Sequence, residues 1–498
     1  MSLARKTGIV VLGRVMTTAV DLVTAIVIVR LLSKTDFAIV SYLLIVYQTG
    51  RYLATLGFPD SVFYFFERVT SGARRAFALQ TFSILAVTAT VAAIGIGTMR
   101  WWAPWFLSEG WTAAQIQAVQ SLAPLVSLAA LLEIPTWPVT NMLLALDRQR
   151  DAAAYELSTS VLTFASLIVP LLIGLPMVWS IYGLLAYATI RFAGSVIWMA
   201  RVLPAASERL PTGWIREQIR FSASLGLSFI LTRLNKIVDK FVVSAMLPAA
   251  ALADYSVGAQ EIPIVTVIPF AVGSVLMSRY VRLAMENRTG ELIELWSAAI
   301  RRASLVVVPV GLFFIFFARD FILTVFGPTY EAAVLPFQIY TVIVLHRVTS
   351  YFGLMQAFGD TRSVMRISAL LLSCNLILSI PLTWVFGIAG TAVATAAANL
   401  FGWAVILRTL GRHMKLPAWR VIPFPYYLRV LAVAGVSGGL AFTLRSEIIF
   451  AAHHSIALIV SGAVYVLIFL VTGSLSNVIS RKDRRRLLGV LGWKWKLS

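Results

Sequence analysis

The sequence predicts an all-α polytopic membrane protein, and three observations carry that prediction. Of 498 residues, 59% are hydrophobic and only 13% charged, which is more apolar surface than a soluble core of this size buries. Apolar windows of about 20 residues recur along the chain, and the short breaks between them carry Arg, Lys, Gly and Pro. With the N-terminus placed in the cytoplasm, about 30 of the 42 Lys and Arg fall in loops and tails on that side and about four in the opposite loops.

About fourteen spans follow, near 7–32, 37–58, 77–99, 119–146, 153–175, 179–201, 221–247, 254–277, 301–318, 335–358, 364–385, 388–410, 426–445 and 456–475. The first begins MSLARKTGIVVLGRV, a basic start and apolar run like a signal peptide, but Arg14 and Asp21 interrupt it and no small-x-small cleavage site follows. It is read as a retained span. Its polar series Arg14, Thr17, Asp21 and Thr24 steps by three and four and so shares one helical face. Arg14 and Asp21 are two turns apart, about 10 Å, so each must look to another helix or to water.

The second span has Gln48, Arg51 and Thr55; the fourth has Glu133, Thr136 and Thr140; the sixth has Arg191 and Ser195. Between spans three and four, Trp101, Trp102, Trp105 and Trp111 read as an interfacial aromatic belt rather than a sugar-stacking surface. The segment 202–220 (VLPAASERLPTGWIREQIR) reads as a cytoplasmic amphipathic linker. In the seventh span, Arg233, Lys236 and Lys240 fall at i, i+3 and i+7, within about 60° of one another on a continuous helix, flanked by Asn235 and Asp239. Glu261 lies in the eighth span, and His346, Arg347 and Ser350 in the tenth. The longest outer loops, near 100–118 and 319–334, stay within about 20 residues.

The two sides of the linker resemble each other. ALDRQRDAAAYELS after the fourth span corresponds to AFGDTRSVMRIS after the tenth, and IYGLLAYATI in the sixth to IAGTAVATAA in the twelfth. The expected organisation is a six-helix lobe over 1–201, the linker at 202–220, a second six-helix lobe over 221–410, two additional helices within 411–475, and a basic cytoplasmic tail at 476–498. The tail combines SRKDRRR with Trp493 and Trp495, as a segment lying on anionic lipid would.

Eight basic side chains lie inside the spans: Arg14, Arg30, Arg51, Arg191, Arg233, Lys236, Lys240 and Arg347. A Lys or Arg at the centre of a membrane helix costs roughly 2.5–3.5 kcal/mol, so several together require an aqueous cavity, acidic partners or an anionic ligand. Arg30 is near a helix end and can snorkel. A cavity for a large anion, lined by Arg14, Arg51, Arg233, Lys236, Lys240 and Arg347, meets the requirement. The intramembrane acids Asp21, Glu133, Asp239 and Glu261 are candidates either for energy coupling or for ion pairing.

Other functions are excluded by what the sequence lacks. The net charge of +20 sits mainly in juxtamembrane loops, where it meets lipid rather than nucleic acid. Cys374 is the only cysteine, and His346, His413, His453 and His454 have no zinc-ligand spacing, so neither an intrachain disulfide nor a Cys-rich metal site is expected. There is no GxxxxGK[ST] loop, no cofactor motif, and no extramembrane segment long enough for an ATPase domain or for the acid/base pair of a glycosyltransferase or polymerase. A transporter rather than an enzyme is expected, its transport secondary or driven by another subunit.

The opening LGRVMTTAVDLVTAIVIVRLLSKTDFAIVSYLL resembles the first two spans of Wzx-type polysaccharide (O-antigen) flippases of the multidrug/oligosaccharidyl-lipid/polysaccharide exporter superfamily. Ala38 stands where that family usually has Gly. VFGPTYEAAVLPFQIY at 325–340, GDTRS at 359–363 and FGIAGTAVATAAANL at 386–400 extend the resemblance over nearly the whole chain. It implies two six-helix bundles in a V around a central cavity. It also implies alternating-access transfer of an undecaprenyl-pyrophosphate-linked oligosaccharide across the bacterial inner membrane, with both termini cytoplasmic. Basic residues on the first and seventh spans near the cavity match Arg14, Arg233, Lys236 and Lys240. Membrane lipids, a polysaccharide polymerase and a chain-length regulator become candidate partners. A lipid II flippase is the near alternative. A multidrug or cation exporter of the same superfamily would need a net acidic cavity, against eight basic and four acidic groups here.

Overall fold

The computed structural model describes residues 3–203, 207–260, 262–448 and 454–479, and among them there is no strand. The first nine α-helices are α1 (Leu3–Leu31), α2 (Lys34–Thr55), α3 (Phe58–Phe66), α4 (Arg74–Gly97), α5 (Met99–Phe106), α6 (Ala113–Glu133), α7 (Val139–Ala145), α8 (Gln149–Leu172) and α9 (Val178–Val202). They are followed by α10 (Trp214–Leu234), α11 (Val238–Met246), α12 (Ala249–Gly258), α13 (Pro263–Met285) and α14 (Thr289–Phe316). The remainder are α15 (Ala318–Val325), α16 (Val334–His346), α17 (Tyr351–Ala357), α18 (Thr361–Met414), α19 (Phe424–Ile448) and α20 (His454–Leu475). In lipid every backbone N–H and C=O must be satisfied internally, which is why the apolar windows become helices.

Ten described stretches are long and apolar enough to cross a membrane, which makes this a multi-pass membrane protein. The expected fourteen is not reproduced by length and apolarity alone. α18 is two helices joined by a break at Gly387 (φ 58°, ψ −142°). The seventh and eighth windows are each interrupted: α10 stops at Leu234 before α11 begins at Val238, and α12 stops at Gly258 before Pro263 opens α13. α10 also begins inside the segment expected to be linker. Of that segment, residues 204–206 lie outside the described residues, as do Glu261, His453 and the tail from 480 with Trp493 and Trp495.

The described residues form two compact units, one within Met1–Ser256 and Met365–Ala398, the other within Val257–Val364 and Asn399–Ser498. In the first, Phe65, Phe66, Phe77, Met142 and Leu143 form a cluster that fixes α3 and α7 against α4. In the second, Trp296 is fully buried and donates its indole N–H to the Val421 carbonyl at 2.9 Å.

The internal resemblance has a structural counterpart. Asp147 (φ 61°) and Gly359 (φ 74°) are the left-handed residues closing a helix, and the next residues, Arg148 and Asp360, share nearly the same dihedrals (−102°, 57° and −88°, 62°). The Arg148 N–H bonds the Leu143 carbonyl and the Asp360 N–H the Met355 carbonyl, the same five-residue closure in both places. Gly183 and Gly390 also match: a Cβ would come within 1.8 Å of the Ser166 carbonyl oxygen at Gly183 and 1.9 Å of the Leu382 carbonyl oxygen at Gly390. In both places glycine lets two membrane helices pack backbone to backbone.

The aromatic belt is only partly as expected. Trp101 and Trp105 are 65% and 87% exposed, whereas Trp111 is 3% exposed and packs edge-on against Tyr42. It is a core residue, because the chain after α5 turns inward. The 319–334 loop is largely helical, forming α15 and a 3₁₀ turn at Pro328–Ala333, tied by Arg319 to Glu331 at 2.7 Å.

Candidate functional site

The intramembrane charges of the first unit gather in three places. The most enclosed is centred on Glu133, at the end of α6 and 1% exposed. One of its oxygens accepts from Arg191 at 2.9 Å and from the Tyr187 hydroxyl at 3.0 Å, and lies 3.6 Å from Arg51; the other accepts from the Tyr47 hydroxyl. The Trp137 ring lies 4.5 Å from the Arg51 guanidinium and 5.5 Å from that of Arg191, so one aromatic ring serves both cations. Sequence periodicity had each of these on a separate polar face; the structure joins α2, α6 and α9 through them.

The second place is where α1 meets α8. Asp21 is hydrogen-bonded to Ser160, and Glu156, one turn before Ser160, feels the charges of Arg14, Arg191 and Asp21. Two helical turns separate Arg14 from Asp21, and both do look to another helix. Glu156 is an acid the sequence reading missed. Its signal was the i, i+4 pair Glu156 and Ser160 inside an otherwise apolar window.

The third place is the junction of α10 and α11. Because the helix breaks between Leu234 and Val238, Arg233, Lys236 and Lys240 do not lie along one continuous helical face, which corrects the stripe geometry. Arg233 and Lys236 are exposed and Lys240 half-buried. Arg233 stands 5.3 Å from the centroid of Tyr52 on α2 and acts electrostatically on Asp60 of α3. α10 reaches this position through a backbone contact: a Cβ on Gly226 would come within 2.3 Å of the Leu56 carbonyl group.

Asp239 has a different setting from the cations around it. It is fully buried, accepting from the Tyr255 hydroxyl and the Lys240 backbone N–H, both at 2.8 Å, and from Thr395 at 3.5 Å. Thr395 continues to Asn375 at 3.2 Å, and Asn375 to Asn235 at 3.2 Å, so a polar chain braces the helix break. Broken backbone at membrane depth is tolerated where such groups take up its unsatisfied N–H and C=O.

Arg30 is exposed at the end of α1, and Arg347 belongs to the second unit, where it reaches Asn399 at 3.4 Å beside a buried His346 whose ring lies tilted against Trp403, 5.3 Å between centroids. Among the described residues no His, Cys, Asp and Glu group could hold a metal ion.

The all-helical fold of this chain is shared with several solved transporter structures. The lipid II flippase MurJ in an inward closed conformation matches with a TM-score of 0.70 and 12% identity over 93% of this chain and 97% of that one. An inward-facing multidrug resistance MATE transporter of the MOP superfamily matches at 0.59 and 14%, over 80% and 96%. A MOP superfamily transporter from Pyrococcus furiosus, described as having a binding pocket of reverse polarity that suggests a different function, matches at 0.57 and 13%, over 83% and 96%. No curated protein matches by sequence. Residues 27–335 match the model of the polysaccharide biosynthesis protein family, and the chain belongs to that family.

Proposed function

We propose that this protein is a flippase that carries undecaprenyl-pyrophosphate-linked oligosaccharide units across the bacterial inner membrane by alternating access, supplying surface polysaccharide synthesis. The observation that carries the proposal is the exposed cationic junction of Arg233 and Lys236 at a helix break, in a chain of the polysaccharide biosynthesis family. A pyrophosphate is a large anion that Arg binds bidentately while Lys adds point charge. Its polyprenyl tail can remain in lipid while the sugar crosses in water.

In this reading Arg233, Lys236, Lys240 and Arg14 bind the cargo. Arg51 is committed to Glu133 and Trp137, and contributes residual charge. Arg347, in the second unit, is a further cargo contact. The two six-helix lobes move about the cargo with the linker between them. The termini are cytoplasmic; in support, residues expected on one side touch one another, with the Ser207 N–H donating to the Gly72 carbonyl at 3.1 Å. Ser108, expected on the other side, donates its N–H to the Ser244 carbonyl at 3.1 Å. A polymerase and a chain-length regulator are the partners this role requires.

The fold likeness to MurJ favours lipid II as a second reading. A cation exporter is disfavoured because basic side chains predominate at the exposed intramembrane positions. The protein is a carrier rather than an enzyme, and energy coupling falls to a carboxylate whose surroundings change between states. Asp21, exposed and held by a single Ser160 hydroxyl, suits that role better than Asp239, which three donors satisfy in a closed setting. In proteoliposomes Asp21→Asn should remove the dependence of flipping on an imposed pH gradient or potential; full retention of that dependence removes Asp21 from the coupling step.

Complementation tests the whole proposal. Arg233→Ala and Lys236→Ala should each abolish polysaccharide export in a flippase-deficient strain at near-normal protein level, and reversal to Glu should be worse. Normal export by both Ala variants refutes the cargo role of this junction.

A further inference from the structure

α14 changes character along its length. Its first half, TGELIELWSAAIRR, carries Glu291, Glu294, Arg301 and Arg302; its second half, ASLVVVPVGLFFIF, is apolar. The arginine pair therefore stands where the helix enters hydrocarbon, at headgroup level. The start of α19 and the chain leaving α20 meet at the same level, where the Tyr426 hydroxyl donates to the Val478 carbonyl at 3.1 Å.

Between these three segments is a cavity of about 510 Å³ whose polar lining is Glu294, Ser297, Arg301, Arg302, Tyr426 and Asn477. That volume falls within the usual range for small-ligand sites, roughly 300–1,000 Å³. The Arg301 guanidinium lies 5.7 Å from the Tyr426 ring centroid, and both arginines are exposed. Among the described residues neither is ion-paired, although Glu294 lies two turns away on the same helix. The wall behind them is fixed: Trp296, between Glu294 and Ser297, is fully buried, bonded to Val421, and packed edge-on between Tyr280 and Tyr351 at 5.9 Å each. Two adjacent guanidiniums, a hydroxyl and an amide converge on a concave site with only one carboxylate. Exposed Leu428 and Leu475, next in the chain to this lining, offer apolar surface to acyl chains. After Ile479 the sequence continues SRKDRRR, a strongly basic run.

We propose that this cavity binds the phosphodiester headgroup of an anionic membrane phospholipid, Arg301 and Arg302 taking the phosphate and Ser297 and Asn477 the polar remainder. A lipid rather than free phosphate is favoured because the site opens at the hydrocarbon edge beside exposed leucines. It lies in the unit that does not contain Arg14, Arg233 or Lys236, so it is independent of the cargo reading.

The test is native mass spectrometry of the purified full-length protein with phosphatidylglycerol, phosphatidylethanolamine or inorganic phosphate added. The parent should retain phosphatidylglycerol over phosphatidylethanolamine, and millimolar phosphate should not displace it. Arg301→Gln with Arg302→Gln should lower retention by about tenfold or more, as expected for two cations at the membrane surface. Arg288→Gln, removal of a single charge outside the cavity, should leave it intact. Ser297→Leu, which fills the cavity and keeps both arginines, provides an independent arm and should also lower retention. Unchanged retention in both cavity variants, equal loss in Arg288→Gln, no preference for the anionic lipid, or displacement by free phosphate would each overturn the proposal.

Discussion

Tyr52 has a guanidinium near its ring from each of two helices, Arg51 from its own α2 and Arg233 from α10, both 5.3 Å from the ring centroid. The two arginines share a neighbour but differ in everything else. Arg51 keeps 17% of its side chain exposed, is paired with Glu133 and lies under Trp137. Arg233 is exposed, and among the described residues no carboxylate lies within ion-pair distance of it. Within a membrane the first arrangement neutralises a charge internally, while the second leaves charge for something that comes from outside. An intramembrane arginine is thus not by itself a binding residue; its partners decide the matter.

The largest effect should come from the neutralised side of the comparison. Glu133→Ala leaves Arg51 and Arg191 facing each other without their shared carboxylate. Removing one partner of a buried pair costs about 3–5 kcal/mol. The folded protein recovered in detergent, measured by fluorescence-detected size exclusion, should fall sharply, whereas Arg233→Ala should leave recovery near the parent level. Equal recovery of both variants would erase the distinction between the two sites.

A smaller effect is expected at a polar contact that belongs to neither group. Asp360 caps α18, accepting from the Ser363 N–H at 3.1 Å and from His413 at 2.8 Å. Partial burial raises its pKa, but the His413 and Ser363 hydrogen bonds outweigh this and hold the carboxyl below its ordinary value. A depressed carboxyl contributes stability above its unfolded pKa and loses it as pH falls through the folded value, so this contribution should persist at neutral pH and fade in acid. Asp360→Ala should cost about 1 kcal/mol at neutral pH, read from thermal unfolding in detergent, with the gap to the parent closing as pH is lowered. Export should be far less affected than by Arg233→Ala.

The helical class and most of the polar positions were legible in the sequence because apolar runs and i, i+3, i+4 spacing are local properties. Arg51, Glu133 and Arg191 could be seen as polar faces, but their pairing could not, since it depends on how α2, α6 and α9 pack. The break between α10 and α11 was hidden because no Gly or Pro marks residues 235–237; it is held by the distant side chains Asn375 and Thr395. Trp111 looked like its neighbours in composition, and only the inward turn after α5 separates it from the exposed Trp101 and Trp105.

Direct binding tests most squarely the idea that the α10–α11 cations serve an anionic cargo. Purified protein titrated with a soluble-chain polyprenyl pyrophosphate should bind it with an affinity that falls as salt rises, because the contact is ionic and exposed. Arg233→Ala combined with Lys236→Ala should weaken binding by tenfold or more, on the order of 1.4 kcal/mol or above, with the elution profile unchanged. Parent-like affinity in that double variant would contradict the account.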